Sequence, residues 1–117
     1  MGTFKDLLVW QKSMELARQV HRATSSFPHE EKFGLVSQMR RCAVSIPSNI
    51  SEGYGRDSKG EQAYFLQISR GSSNELGTQT TLAHEFGYID DENNEQITEL
   101  NDEVNKMLNS LIYTLKH

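Results

Sequence analysis

The sequence has 117 residues, of which 36% are hydrophobic and 24% are charged, with two prolines and eight glycines. This length and composition predict one globular domain over residues 1–117 and exclude low-complexity, collagen-like and strongly disordered chains. The net charge is -4 at pH 7, but it is unevenly distributed: residues 1–84 carry ten Lys/Arg against eight Asp/Glu, whereas residues 85–117 carry two against eight. Because phosphate contacts need positive charge, any nucleic-acid site on this acidic protein would have to be confined to one surface on which basic residues are gathered.

The first twenty residues carry charges throughout and lack the long apolar stretch of a secretory signal or a membrane span. We therefore expect a cytoplasmic protein with no membrane partner. The single cysteine, Cys42, excludes an internal disulfide and fits a reducing compartment. We interpret Cys42 as a small, inert, buried hydrophobe.

The first helix is predicted between Phe4 and Thr24, where apolar residues recur at three- and four-residue steps. They form two adjacent stripes, one of Leu7, Trp10, Met14 and Ala17, the other of Val9, Leu16 and Val20. Together the stripes are wider than the roughly 100° arc that one packed face needs. This helix is therefore predicted to have two neighbours.

The second helix is predicted to begin at Pro28, because proline and acidic residues suit a first helical turn. Its apolar face consists of Leu35, Met39, Cys42, Ala43, Ile46 and Ile50. Pro47 lies inside this run, where it removes a backbone donor and predicts a kink. The sequence Gly53-Tyr54-Gly55 predicts the end of the helix, with a glycine in a left-handed cap.

The third helix is predicted from Ser58 to Phe86, ending at Gly87. Its predicted inward positions are Tyr64, Phe65, Ile68, Leu76, Ala83 and Phe86. Gly71 and Gly77 lie inside it, where glycine costs about 1 kcal/mol relative to alanine, so a close neighbouring helix is expected. After an acidic turn, the fourth helix has the apolar stripe Ile97, Leu100, Val104, Met107, Leu108, Leu111 and Leu115. Four helices joined by short turns predict an all-α, up-and-down antiparallel four-helix bundle with a kinked second helix.

A polar stripe follows the second helix over about five turns, at steps of three or four residues. Its members are Gln38, Arg41, Ser45, Asn49, Glu52 and Arg56. Such a stripe can be a solvated face or a buried polar network that sets helix register. It can also be a ligand surface or a subunit interface, and the pattern alone leaves these alternatives open.

The motifs of common catalytic and metal sites are incomplete in this sequence. The segment Gly55 to Gly60 has the glycine spacing of a P-loop, but Glu61 and Gln62 replace the lysine and hydroxyl residue that hold phosphate and magnesium. None of the four histidines follows a glutamate at the spacing of a dimetal helix bundle. We therefore predict a protein without catalytic, cofactor or metal sites.

Residues 37–56 form the most distinctive run of the sequence. The run SQMRRCAVSIPSNISEGYGR, with LVWQKSMELA before it and ISRGSSNELGTQ after it, resembles the 23S ribosomal RNA intervening-sequence protein family of bacterial four-helix bundles. The resemblance extends from Phe4 to Lys116, and its most specific part is Ser-Ile-Pro-Ser-Asn-Ile-x-Glu-Gly. It implies a bundle that assembles into a homopentamer. The family is also similar to the accessory variability determinant of diversity-generating retroelements, a basic partner of nucleic acid and reverse transcriptase.

Two functional hypotheses follow. The first is a non-enzymatic homo-oligomeric scaffold or adaptor that binds copies of itself and a further protein. In this hypothesis the polar stripe forms a network at the interface. The second is RNA or DNA binding through a ring of bases from the second and third helices. These bases are Arg40, Arg41, Arg56, Lys59 and Arg70.

Overall fold

The computed structural model describes residues 2–117, so Met1 of the predicted domain lies outside the described residues. It contains four helices: α1 (Leu8–Thr24), α2 (Leu35–Tyr54), α3 (Lys59–Glu85) and α4 (Asp91–Lys116). Short 3-10 helices, Phe4–Asp6 and His29–Glu31, precede α1 and α2. Residues 2–117 contain no strand, which confirms the predicted all-α class. None of these helices is both long and apolar enough to cross a membrane.

The helices form an up-and-down bundle. Each of α1 and α3 packs against both α2 and α4. The molecule measures 43 by 23 by 22 Å, and its long axis agrees with the roughly 40 Å that the longest helix spans at 1.5 Å per residue. Since consecutive helices are joined by short turns, they run antiparallel. The predicted bundle and the two neighbours of α1 are confirmed.

All four helices contribute to one apolar core. In α1 the stripe Val9, Leu16 and Val20 is fully buried, whereas the stripe of Trp10, Met14 and Ala17 is only half-buried. In α4 the predicted stripe is confirmed, because its members are either buried or packed against the core. Trp10, Met14 and Ala17 therefore remain partly accessible to solvent.

The predicted start of the second helix is wrong. Pro28 opens only the 3-10 turn His29–Glu31, and α2 begins at Leu35. Gly34 lies between them with φ -103° and ψ -111°, a conformation outside the helical region that interrupts the hydrogen-bond ladder. Once begun, α2 continues through Pro47 to Tyr54, as the uninterrupted periodicity predicted.

The glycines of the α2–α3 turn have a different role from the one predicted. Gly55 is right-handed, with φ -83°, and Gly87 is the only residue with positive φ among residues 2–117. Gly53 is instead favoured by close packing: a Cβ there would lie 3.1 Å from the Phe65 Cβ and 3.2 Å from the Gln62 carbonyl oxygen. Gly87, with φ 81°, does end α3 as predicted.

The predicted inward face of α3 is partly wrong. Leu76 and Ala83 are buried, but Tyr64 and Phe86 are 58% and 57% exposed. The buried face consists largely of small or polar residues: Ala63, Leu66, Ser69, Ser73, Leu76, Gln79, Thr80 and Ala83. A search for an apolar stripe cannot detect a face of this kind, because buried hydroxyl groups are usually paired with partners from distant parts of the chain. Thr80 is the exception on this face, since its buried hydroxyl has no partner within residues 2–117.

The fold supplies those partners from both neighbouring helices. The Ser69 hydroxyl donates to the Ile46 carbonyl of α2 at 2.9 Å, and the Ser73 hydroxyl donates to Asn101 Oδ1 of α4 at 2.8 Å. Asn101 Nδ2 in turn donates to the Ser73 carbonyl at 3.0 Å. Ser69 and Ser73 therefore connect α3 to α2 on one side and to α4 on the other.

Two glycine substitutions should have opposite effects on stability. Gly53→Ala should lower the free energy of unfolding by about 1 to 3 kcal/mol, because the added methyl group overpacks the α2–α3 contact. Gly71→Ala should raise it by about 0.5 to 1 kcal/mol, because Gly71 is helical and a Cβ there has no neighbour within 4 Å. Urea denaturation of both variants checks the pair, and a destabilised Gly71→Ala would show that the α3 surface is covered after all.

Candidate functional site

The polar stripe of α2 lies along its seam with α3, and the structure divides it into three groups. The central group is Ser45 and Asn49. The Ser45 and Ser72 hydroxyl oxygens are 2.9 Å apart, which links α2 to α3. Asn49 Nδ2 donates to the Ser45 carbonyl at 2.9 Å and to the Ser45 hydroxyl at 3.0 Å. This group is a structural network inside the protomer, one of the alternatives that the sequence left open.

The second group closes the turn between α2 and α3. Arg56 forms an ion pair with Glu52 and lies 3.8 Å from a carboxylate oxygen of Glu61. Its guanidinium carbon lies 4.7 Å from the centre of the Phe65 ring, within the range of a cation–π contact. The Arg56 carbonyl accepts a 2.9 Å hydrogen bond from Gln62 Nε2. The positive charge of Arg56 is therefore already balanced within the chain.

The third group, Gln38 and Arg41, lines a pocket between α2 and α3. Both side chains are exposed, and neither makes a side-chain hydrogen bond or ion pair within residues 2–117. The pocket has a volume of about 330 Å³. Its lining consists of Gln38, Arg41, Cys42, Ser45, Ser72, Glu75 and Gln79.

Cys42 is buried in this pocket but is not the simple hydrophobe that the sequence suggested. Its thiol donates to Glu75 Oε2 at 2.9 Å, and Gln79 Nε2 donates to its sulfur at 3.5 Å. Burial, followed by the hydrogen bond to Glu75, raises the pKa of the Cys42 thiol to about 11. The expectation of an inert thiol agrees with this, since the reactive form of cysteine is the thiolate. Sequence reasoning missed Glu75 and Gln79 because they are 33 and 37 residues away.

The five predicted nucleic-acid bases are distributed over different seams of the bundle. Arg40 holds the end of α1, donating from Nε to the Thr24 hydroxyl at 2.8 Å and from Nη2 to the His21 carbonyl at 3.1 Å. Arg70 donates to Asn109 Oδ1 of α4 at 3.0 Å. Arg41, Arg56 and the exposed Lys59 belong to the α2–α3 side. Arg41 lines the pocket between α2 and α3, Arg56 and Lys59 lie at the α2–α3 turn, and Arg40 and Arg70 lie on the α1–α2 and α3–α4 seams.

An apolar groove runs between α1 and α2, on the other side of α2 from the pocket. It has a volume of about 490 Å³, and Val44 on its edge is 57% exposed. Its apolar lining consists of Phe4, Trp10, Met14, Ala17, Val44 and Pro47. The unusually wide apolar arc of the first helix was the signal for this groove, since one of its two stripes was more than the core needed.

No three His, Cys, Asp or Glu side chains of residues 2–117 are grouped as ligands for a metal ion. The Ser45–Asn49 network and the charged α2–α3 turn make contacts within the chain. Of the features described above, the pocket and the groove present surface to another molecule.

Comparison with known proteins places the chain in a family. Residues 5–110 match the family described as 23S rRNA-intervening sequence protein, so the chain belongs to that family. A solved structure of a protein with unknown function from the S23 ribosomal protein family of Bacteroides thetaiotaomicron VPI-5482 is similar in fold, with a TM-score of 0.81 and 28% sequence identity. The similarity covers 90% of this chain and 98% of that one. No functionally curated protein matches the chain.

The Cys42 thiol should make stability depend on pH in the alkaline range. Its pKa is about 9.0 when unfolded and about 11 in the fold, so its contribution is complete below pH 9 and is lost as the pH rises towards 11. We expect the free energy of unfolding to fall more steeply between pH 9 and 11 in the parent protein than in Cys42→Ala. Chemical denaturation across this range provides the two slopes. Equal slopes would mean that the thiol titrates normally in the folded protein.

Proposed function

We propose that the chain is a non-enzymatic, cytoplasmic scaffold or adaptor that assembles with copies of itself. The observation that carries this proposal is the apolar groove between α1 and α2. Solvent-exposed Val44 and half-buried Trp10 and Met14 belong to one continuous surface that no part of residues 2–117 covers. Large contiguous apolar patches are uncommon on monomers and commonly mark sites of association.

The shape of the groove supports a helix-mediated contact between subunits. It lies parallel to two helices, and a third helix packing there would bury apolar area worth about 25 cal/mol per Å². A contact between a groove on one protomer and a different surface on the next is heterologous, and such contacts close into rings when the rotation allows it. Five copies are the number implied by the resemblance of the motif at residues 45–53.

Polar side chains also line the groove. Ser48 and Ser51 lie on the α2 side of the groove, and Arg18 and His21 lie on the α1 side. Protein interfaces commonly have an apolar centre with a polar rim. The groove lining combines these polar residues with the apolar ones.

Nucleic-acid binding through Arg40, Arg41, Arg56, Lys59 and Arg70 has less support. Arg40 and Arg70 are hydrogen bonded within the chain, and Arg56 is paired with acids. Phosphate would have to compete with these partners, and the acidic fourth helix adds repulsion. A protein or a further copy of the chain is therefore the favoured partner class.

Changing the groove should dissociate the assembly without unfolding the protomer. Because Val44 is exposed in the protomer, Val44→Glu should leave its helical content unchanged, whereas an unpaired charge buried between subunits should weaken association by at least about tenfold. Light scattering over a dilution series should then show the protomer mass of 13.3 kDa at concentrations at which the parent protein is still assembled. Val44→Leu is the matched control, since it keeps an apolar side chain of similar shape and should retain the assembly.

Three outcomes would contradict the proposal. A parent protein that is monomeric at all concentrations has no assembly to explain. An assembly that survives Val44→Glu uses another surface. A mass that increases with added RNA at low salt, and does so less after Arg41→Gln, would favour the nucleic-acid hypothesis instead.

A further inference from the structure

The second half of α3 and the first half of α4 form a hairpin with an unbalanced negative charge. Residues 71–105, here called the acidic hairpin, contain nine Asp or Glu and no Lys or Arg. All nine acids are exposed, and within residues 2–117 only Glu103 forms a salt bridge with a lysine or arginine, namely Lys12 of α1. The field of the acidic hairpin therefore attracts cationic groups and repels anions.

An aromatic cluster lies at the tip of the acidic hairpin, where α3 ends. The rings of Phe27, Tyr88 and Phe86 follow one another with centres 5.4 and 5.7 Å apart. The inner ring, Phe27, is buried, whereas the outer ring, Phe86, is 57% exposed. The Tyr88 hydroxyl is held by a 3.0 Å hydrogen bond to Glu31 Oε2. Phe86 therefore presents its ring to solvent from a position that the cluster supports.

Apolar area and carboxylates share this tip. On α3, Leu82 lies one turn before Phe86 on the same helix face and is 40% exposed, and Glu85 is exposed beside Phe86. Asp91 Oδ1 lies 2.7 Å from His84 Nε2, which brings the start of α4 against the last turn of α3. The first turn of α4 is itself acidic. The acids of both helices therefore adjoin the exposed Phe86 and Leu82.

This combination specifies the chemistry of a partner. Carboxylates form charge-assisted hydrogen bonds with lysine and arginine, and an aromatic ring face attracts the same cations. Exposed ion pairs contribute only about 0 to 1 kcal/mol each, so affinity also requires burial of the apolar side chains. An uncharged apolar partner would cover carboxylates without pairing them, at a cost. A partner with both basic and apolar side chains meets both requirements.

We propose that the tip of the acidic hairpin docks a basic, amphipathic segment of a partner protein. Its Lys or Arg side chains pair with the hairpin acids, and its apolar side chains cover Phe86 and Leu82. This inference names a partner class for the proposed adaptor but rests on a different surface. The subunit groove lies between α1 and α2, whereas the tip belongs to α3 and α4, so each proposal can fail without the other.

The first experiment compares three synthetic peptides. One is an amphipathic helical peptide of lysine and leucine, the second has glutamate in place of lysine, and the third has serine in place of leucine. Each is titrated into the ¹⁵N-labelled full chain, and the amide signals of Phe86, Tyr88 and Asp91 are followed. We expect saturable shifts with the lysine–leucine peptide and binding at least about tenfold weaker for the other two. No saturable shift with that peptide, or equal binding of either control, would overturn the proposal.

A matched pair of variants tests the exposed ring. Phe86→Ser removes the ring at the tip, and Tyr113→Ser removes a ring that is 65% exposed near the far end of α4, roughly 30 Å from its first residue. Only Phe86→Ser should weaken binding of the lysine–leucine peptide, by at least about tenfold. Unchanged binding in Phe86→Ser, or equal weakening in Tyr113→Ser, would refute the assigned contact.

A charge variant keeps the proposal testable if Phe86→Ser does not fold. Glu85→Gln combined with Glu95→Gln removes two exposed charges of the acidic hairpin and should weaken peptide binding about threefold, with a smaller dependence on salt. Asp57→Asn, in the α2–α3 turn at the opposite end of the bundle, is the control and should leave binding unchanged. Equal binding by the double variant and the parent protein would contradict the charge pairing.

Light scattering distinguishes a foreign partner from a second copy of the chain. Phe86→Ser should have the same mass as the parent protein at every concentration, because the tip is not a subunit contact in this proposal. A lower mass in Phe86→Ser would show that copies of the chain cover the tip, and that result would overturn the inference. The effect of Val44→Glu on assembly is measured separately and leaves this outcome unaffected.

Discussion

The packing of α3 depends on small hydroxyl residues in the core. Ser69 and Ser73 are fully buried, one helical turn apart, and hydrogen bond to Ile46 of α2 and Asn101 of α4. A serine side chain is small, so neighbouring helices can approach closely at its position. Its buried hydroxyl must then find a hydrogen-bond acceptor. Meeting both conditions requires a particular rotation and register of α3 against its two neighbours. The alignment of the seam residues follows from that register.

The motif of α2 shows how one segment serves several surfaces of the bundle. Ile46 and Ile50 face the core, Ser45 and Asn49 form the network towards α3, and Pro47 lines the groove towards α1. Gly53 then permits the close approach of α3 where the two helices meet at the turn. Each residue type is explained by a contact within the protomer or by an exposed groove. The geometry of the bundle around α2 therefore accounts for these motif residues by packing, hydrogen bonding and close helix approach.

The two sides of α2 differ in chemistry. Towards α1 the surface is apolar and exposes Val44, whereas towards α3 it is polar and contains Arg41 and Glu75. An apolar groove suits a large, complementary protein surface.

The periodicity of apolar residues determined much of this protein directly. It defined four helices, the end of α3 at Gly87, the core stripe of α4 and the two neighbours of α1, because burial of apolar area dominates folding and repeats with the helical period. The motif at residues 45–53 identified the family. The start of α2, the role of Gly53 and the buried face of α3 were decided by tertiary contacts, since backbone clashes and serine acceptors come from distant residues. The pocket was beyond sequence reasoning for the same reason: Cys42, Glu75 and Gln79 meet only when α3 docks on α2 in its observed register.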